Sequence, residues 1–350
     1  MPHVVAAPDK FRGTATAVEV ARAIASAARA AGWTCDEAPV ADGGEGLLDA
    51  LAARGGRRMH TTVRGPLGSP VDAEWLLDGT TAVVEMARAS GLLLAGGPEG
   101  NDPMAASTVG TGELIAAAVV AGAKRVIVGL GGSATTDGGQ GALAALEPHS
   151  RLRGVELIVA CDVTTAFVDA AEEFGPQKGA SPAQVGLLRR RLERLAADYR
   201  DRSGIDVTTI PGTGAAGGLA GGLASVGARI VPGFELVADQ IDLAERLEAA
   251  DLVVTGEGFL DEWSFQGKTV GGVISLAADA GVETLVVAGD VWTGLDVAAA
   301  VGGLPVRLVA LVERFGRERS MDDVAGCVGE VVGEVLADAG GQAGRGRHRR

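Results

Sequence analysis

The 350-residue sequence predicts an α/β protein in two parts: a parallel-sheet domain built from both chain ends and a mixed α/β domain inserted between them. Three observations carry this reading. Short apolar runs alternate with helix-length segments at both ends of the chain. The runs end in polar, glycine-rich loops, as strands do at the ligand-binding edge of an open parallel sheet. Between His60 and Met86 the pattern shifts to period-two alternation, with turn signals at Gly65-Pro66 and Asp78-Gly79 that fit antiparallel strands.

The elements follow in order. Val4–Ala7 reads as a first strand and Pro8–Gly13 as its loop. Thr14 or Thr16 caps a helix running to Ala31, with Val18, Ile24 and interleaved alanines as its buried stripe. A strand over Cys35–Val40 leads into Asp42–Gly46 and a helix over Leu47–Ala53. After the antiparallel region, Ile115–Ala121 reads as helix, and Arg125–Leu130 and Val155–Ala160 as strands. Gly138–Leu146 is a helix between those two strands. Pro182–Tyr199 is an amphipathic helix with Val185, Leu188, Leu192 and Leu195 on one face. Gly212–Gly222 is too glycine-rich for a firm assignment. The parallel pattern resumes with Leu252–Thr255 as strand, Val270–Ala280 as helix, Thr284–Ala288 and Val306–Val312 as strands and Met321–Ala339 as final helix. The domains are therefore placed at 1–60 with 251–339 and at 61–250, and the basic, glycine-rich 340–350 is expected to be a disordered tail.

Composition narrows the function. Aromatic residues make up 3% of the chain and glycines number 54, so the core is one of Ala, Val and Leu with close helix–sheet packing. The net charge of −14 argues against general nucleic-acid binding, and no apolar run is long enough to span a bilayer. Met1–Ala7 reads as a strand rather than a signal peptide, and Cys35, Cys161 and Cys327 fit neither a zinc site nor a disulfide framework. A reducing cytoplasm is the expected location. An acidic protein that binds an anion needs local cations, which makes the lysines in glycine-rich loops worth locating.

Five loops carry chemistry. Gly131-Gly132-Ser133-Ala134-Thr135-Thr136-Asp137-Gly138-Gly139 follows a strand and precedes a helix. Its glycines let backbone N–H groups approach a phosphate, its hydroxyls add donors, and Asp137 suits a magnesium ion or a substrate hydroxyl. A tight turn packed with small residues would use the same sequence. Asp9-Lys10-Phe11-Arg12 places a carboxylate and two cations after the first strand, with Phe11 as anchor. Asp42-Gly43-Gly44-Glu45-Gly46 suits a metal or general base, or simply an acidic helix start. Lys178 sits among turn formers. Thr255-Gly256-Glu257-Gly258 ends a strand, and Gly267-Lys268-Thr269 opens a helix without completing a P-loop, because Glu262 stands where that motif needs glycine. No dinucleotide fingerprint follows the first strand, no nucleophile elbow is present, and none of the four His sits in a triad context.

The ordered set of motifs resembles the bacterial glycerate kinase family, of the kind called type I. The matching pieces are Ala7–Gly13, Ala41–Gly46, Gly110–Ile115, Gly131–Gly139, Ala160–Thr164, Phe174–Ala180, Gly214–Leu219, Thr255–Gly258 and Gly267–Thr269. The resemblance implies ATP-dependent phosphorylation of a hydroxyl of D-glycerate with Mg²⁺, giving a phosphoglycerate and ADP. It also implies a flavodoxin-like domain from both chain ends and an insert likened to restriction endonucleases. Three departures stand out. Arg12 replaces the family's Lys, the stretch between Leu146 and Val155 is short, and Thr165–Glu173 replaces a usual Asn-Pro and Gly-Pro-x-Gly-Ala turn. A kinase for another small hydroxy acid and a non-catalytic ligand-binding homologue remain the alternatives.

Phosphoryl transfer asks for charge neutralisation and positioning more than covalent catalysis. Asp42 and Asp137 are the candidate bases and Mg²⁺ ligands, the choice between them being open, and Lys10 joins them in the catalytic set. Asp9, Arg12, Gly43, Gly44, Glu45, Ser133 and Thr135 are assigned to glycerate, with Arg12 on its carboxylate. Gly131, Gly132, Lys178, Thr255, Glu257, Gly267 and Lys268 are assigned to the nucleotide. The sequence leaves open the oligomeric state and whether 2- or 3-phosphoglycerate is made.

Overall fold

The computed structural model describes residues 1–265 and 268–347, with 340–347 described as backbone only. Two compact units emerge, one from Met1–Ala41, Asp49–Ala53 and Val237 onward, the other from Asp42–Leu48 and Arg54–Leu236. The architecture is mixed α/β, with a five-stranded parallel sheet, a six-stranded mixed sheet and a small two-stranded parallel pair.

In the first unit, five strands run parallel in the order Val306–Ala310, Glu283–Ala288, Leu252–Thr255, His3–Ala6 and Thr34–Glu37. The apolar runs behave as strands because both faces are covered. Val4, Ala6, Leu252, Val254, Leu285 and Val287 pack with Val20, Ile24, Val328 and Val331 from helices, while Val286 and Ala288 face Val270 and Ile274. The helix Ala17–Ala30 begins where the sequence expects, at Thr16. Its hydroxyl accepts from the Glu19 N–H and the Glu19 carboxylate accepts from the Thr16 N–H, a reciprocal cap. The last helix is Val324–Arg347 and continues past Ala339, where the sequence had placed the start of a disordered tail. Four of the eight residues Gly340–Arg347 are glycines, each about 1 kcal/mol worse than alanine in a helix, so intrinsic propensity does not favour this last stretch. His348–Arg350 lie outside the described residues.

In the second unit, six strands follow in chain order: Arg57–Arg64, Pro70–Asp78, Thr81–Glu85, Arg125–Gly129, Glu156–Ala160 and Arg229–Val231. The first three pair antiparallel and the rest parallel, so the change of texture after His60 is a hairpin region grafted onto a parallel sheet. Trp75, 1% exposed, fills this core and donates its indole N–H to the Thr61 hydroxyl at 3.0 Å. The helix Pro182–Ser203 starts at Ser181 with a reciprocal cap to Gln184 and buries Leu188, Leu192 and Leu195 as its spacing requires.

The glycine-rich stretch that resisted assignment is a helix, Ala215–Ala224, broken near its start by three left-handed residues: Ala216, Gly217 and Gly218. Its glycines let one backbone lie directly on another. A Cβ at Gly217 would stand 1.9 Å from the Thr135 carbonyl oxygen, and the Gly138 N–H donates to the Gly217 carbonyl at 3.0 Å. Gly217→Ala is therefore expected to destabilise the protein by about 3 kcal/mol, combining the left-handed penalty with a clash against main chain. An unchanged midpoint in urea unfolding would show that the turn relaxes.

Candidate active site

Most of the sequence-predicted loops follow strands, whereas the Lys178 turn follows the helix Ala170–Phe174; each unit gathers its own set of residues. In the second unit, the strand Arg125–Gly129 delivers Leu130 to Gly139 and the strand Glu156–Ala160 delivers Asp162. The Asp42–Gly46 loop lies against both strand ends. A Cβ on Gly131 would stand 2.8 Å from the Gly44 Cα, and one on Gly43 would stand 3.1 Å from the Ala160 carbonyl carbon. Gly43, Gly44, Gly131 and Gly132 thus bring together two loops that are far apart in sequence. Glu45 reaches the same place, because a Cβ on Gly132 would stand 2.8 Å from its Oε1. Asp42 folds its carboxylate back on its own loop, accepting from the Gly44 N–H at 3.0 Å.

Asp137 holds this half together. Its Oδ2 accepts from the Thr108 N–H at 2.9 Å, the Thr108 hydroxyl at 2.9 Å and the Gly141 N–H at 3.2 Å. Its Oδ1 accepts from the Gly139 N–H at 3.1 Å. The carboxylate is 6% exposed and lies at the starts of two helices, Val109–Val120 and Gln140–Ala145, whose first N–H groups need acceptors. These bonds give Asp137 a structural role in addition to the base or Mg²⁺ role expected from the sequence. Both oxygens already accept, Oδ2 from three donors, so these bonds compete with a proton or an ion for the carboxylate.

The loop in front of Asp137 is equally constrained. Lys178 is buried and donates through Nζ to the Thr135 carbonyl at 2.7 Å, with the Phe174 ring 5.8 Å away. Burial pushes its ammonium down to about 7, and the Asp137 carboxylate opposes that shift. Lys178, assigned to the nucleotide from the sequence, serves here as a strut beneath the loop. Asn101 donates to the carbonyls of Ala134 and Lys178, and Tyr199 donates its phenol to the Gly138 carbonyl at 2.9 Å. Ser133 is 9% exposed. The hydroxyls of Thr135 and Thr136 are buried without a protein partner among the described residues.

Sequence reasoning missed Glu85. It is 4% exposed, and one oxygen accepts from the N–H groups of Gly46 and Leu48, both at 2.9 Å, while the other takes Arg88 Nε at 2.8 Å. It anchors the end of the Asp42 loop from a different strand. The visible signal was an acid closing an otherwise apolar run, Thr81–Glu85.

The first unit gathers a separate set. Phe11 is 1% exposed and anchors the Asp9–Arg12 loop as the sequence implied. Asp9 accepts from the Lys10 N–H at 2.6 Å and from the Thr269 hydroxyl at 2.8 Å, with Lys10 Nζ at 3.8 Å. It thereby ties the first strand's loop to the start of the helix Thr269–Ala280. That helix has no side-chain cap, and the exposed Lys268 sits at its N-terminus. Thr255, assigned to the nucleotide, is 1% exposed and spends its hydroxyl on the Ala7 carbonyl, so it binds strand to strand. Gly267 lies outside the described residues. Arg12 is exposed at the end of its loop.

Glu257 stands beside Asp9. Burial raises its carboxyl to about 7; Asp9 and Asp261 add to the shift, while Ser264 and Lys268 oppose it. Among the described residues no group of three or more His, Cys, Asp or Glu is arranged to hold a metal ion, and no helix is long and apolar enough to cross a membrane.

Two measurements separate these roles. Asp137→Asn is expected to cost about 3 kcal/mol of stability, because an amide nitrogen would face N–H donors now bonded to a carboxylate. A wild-type unfolding midpoint would refute the pinning role. For Glu257, the raised carboxyl favours the folded state at low pH, and that contribution is lost as pH rises from 4.5 through about 7. The Tm of Glu257→Gln should therefore fall less than that of the wild type across this window. Parallel curves would show that the acid is not shifted.

Comparison with known proteins follows from this geometry. The family model for the glycerate kinase family matches residues 4–149 and 146–314. The chain is 38% identical over 333 residues to a glycerate kinase of Halalkalibacterium halodurans, covering 85% of this chain and 87% of that one. It is 39% identical over 311 residues to the glycerate 2-kinase of Escherichia coli K12, covering 78% and 81%. A crystal structure from Salmonella typhimurium LT2, of a protein provisionally named glycerate kinase 2, superposes with a TM-score of 0.80 at 34% identity. The match covers 97% of this chain and 99% of that one. By sequence over most of its length and by fold, the chain belongs to the glycerate kinase family.

Proposed function

We propose that the protein transfers the γ-phosphoryl group of ATP to a hydroxyl of D-glycerate, as a cytoplasmic enzyme of the type I kind. One observation carries this reading: the motifs arrive at the C-terminal ends of parallel strands. Asp9 follows His3–Ala6, Glu257 follows Leu252–Thr255, Gly131 follows Arg125–Gly129 and Asp162 follows Glu156–Ala160. In the same reading, the domain from both chain ends is flavodoxin-like and the insert carries the restriction-endonuclease-like sheet.

The first unit suits the nucleotide. The uncapped start of the helix Thr269–Ala280 offers N–H groups and a positive dipole end, and Lys268 adds a cation. Asp9 holds Thr269 and Lys10 in register. Glu257 lies close enough to Lys268 to feel its charge and is set to orient that lysine. In the second unit, the Ser133–Gly139 loop is a rigid surface for the polyhydroxy acid, and Asp42 is the base that takes the proton of the attacking hydroxyl. Arg12 pairs with the glycerate carboxylate, a role its planar fork suits.

Asp42 and Asp137 are a poor resident site for Mg²⁺, because Asp137 already accepts N–H and hydroxyl donors and, among the described residues, no group of three or more His, Cys, Asp or Glu is arranged to hold a metal ion. We treat it as the counter-ion that travels on the ATP phosphates, which is how such ions commonly enter kinases.

The altered segment after Asp162 favours the glycerate reading over a changed specificity. Phe167 is 0% exposed, packs edge-on to Tyr199 at 6.0 Å and lies under Gly218 and Gly221. The replacement is thus a core plug behind the loop. Asp162 keeps its own place, accepting from the Gly233 N–H at 2.6 Å.

A coupled ADP assay over a panel of hydroxy acids tests the reading, with D-glycerate expected to turn over fastest. Turnover of another hydroxy acid in preference, or of none, overturns it. Asp42→Asn should lower kcat by about 10²-fold or more, and near-wild-type turnover would take Asp42 out of the catalytic set. Arg12→Ala should mainly raise the glycerate KM, whereas Lys268→Ala should weaken ATP or lower kcat. A change confined to the ATP KM in Arg12→Ala would reverse the two assignments.

A further inference from the structure

Aromatic residues are scarce in this chain, 4 Trp, 1 Tyr and 7 Phe in 350 residues. Trp75, Phe11, Phe167, Phe234 and Tyr199 are buried. Among the described residues, the exposed aromatics are Trp263 at 64%, Phe259 at 50% and Trp292 at 47%. All three belong to one small region of the first unit.

Strand register brings two of them to one face. The strands Phe259–Leu260 and Asp290–Val291 pair in parallel, with Phe259 opposite Asp290 and Leu260 opposite Val291. The Trp292 N–H continues the ladder to the Leu260 carbonyl at 2.9 Å. Alternation sends Leu260, 0% exposed, inward and leaves Phe259 and Trp292 on the opposite, outward face. Trp292 lies over Gly294, where a Cβ would come within 3.1 Å of its indole ring. Trp263 projects from the tight turn Glu262–Phe265. That turn is pinned because Asp261 accepts from the Ser264 N–H at 3.0 Å.

Exposing three large aromatics is costly unless they are used. The surrounding charge narrows the user. Asp261, Glu262 and Asp290 flank the patch, which disfavours a phosphate or an anionic lipid surface directly on it. A flat, uncharged heteroaromatic ring suits it, and its phosphate-bearing end has a neighbouring cation to go to. Lys268 and the start of the helix Thr269–Ala280 come within a few residues of the turn that carries Trp263.

We propose that Phe259, Trp263 and Trp292 form the stacking surface for the adenine ring of ATP, with the phosphates directed to Lys268 and the adjoining helix start. This rests on the kinase reading of the same unit and names the part of the nucleotide each side of it holds. Phe259 and Trp292 supply ring faces from the paired strands, and Trp263 supplies a third from the turn.

Base stacking on an aromatic side chain is sequence-tolerant and is lost on truncation to alanine. Trp263→Ala and Trp292→Ala should each raise the ATP KM about tenfold, leaving the glycerate KM and the Tm unchanged. Trp292→Phe should stay within about threefold of wild type, because a ring face remains. Titration with ADP should change the tryptophan emission of the wild type. Inorganic tripolyphosphate, which has no base, should bind wild type and alanine variants alike. An unchanged ATP KM in both alanine variants would overturn the proposal, as would an equal loss of tripolyphosphate binding. So would a wild type that self-associates in sedimentation and becomes monomeric on Trp263→Ala with its ATP KM intact, which would make the face a subunit contact. If no hydroxy acid is phosphorylated but ADP binding still depends on the two tryptophans, the acceptor reading fails and the stacking surface stands.

Discussion

One buried carboxylate organises the second unit. Asp137 is held by N–H and hydroxyl donors from Thr108, Gly139 and Gly141, and these include the first free N–H groups of two helices. A charge this deep survives only when its lone pairs are filled, and helix starts are natural suppliers of aligned donors. Once Asp137 is fixed, the loop before it has a fixed end, and Lys178, Asn101 and Tyr199 meet carbonyls already in place. The loop surface proposed for glycerate is therefore held in place by the ionic centre behind it.

Much of the fold was legible because the signals were local. Thr16 and Ser181 announce helices through reciprocal caps, and Leu252–Thr255 is an apolar run of strand length bounded by turn formers. The antiparallel texture after His60 showed as alternation. The Gly212–Gly222 stretch was not legible, since its helix depends on backbone-to-backbone contact with Thr135 and Gly138, and glycine carries no periodic signal. The strand Arg229–Val231 was too short to stand out.

The site was legible as a set of loops and opaque as a set of roles. Residue type could mark Asp137, Thr255 and Lys178 as polar groups in glycine-rich surroundings. It could not reveal that Asp137 is buried among N–H and hydroxyl donors, that the Thr255 hydroxyl is spent on Ala7, or that the Lys178 ammonium points inward. Those facts depend on which atoms of a folded loop remain available, a count made only in three dimensions. Glu85 escaped for the opposite reason: its chemistry was plain, but its partners lie in a loop some forty residues earlier in the chain. Glu257 was placed correctly as a strand-end acid, and its raised carboxyl follows from burial beside Asp9.

The backbone-on-backbone contacts at Gly44 with Gly131, and at Gly217 with Thr135, have a consequence for how such an enzyme diversifies. A surface made of main chain presents the same peptide groups whatever the sequence, so there is no side chain to exchange for a new preference. Any added atom collides with peptide groups that have nowhere to retreat. Adaptation to a different acid must then come from outside the frame, from side chains such as Glu45 that border it. The loop stays as a fixed template, and novelty is confined to its margin.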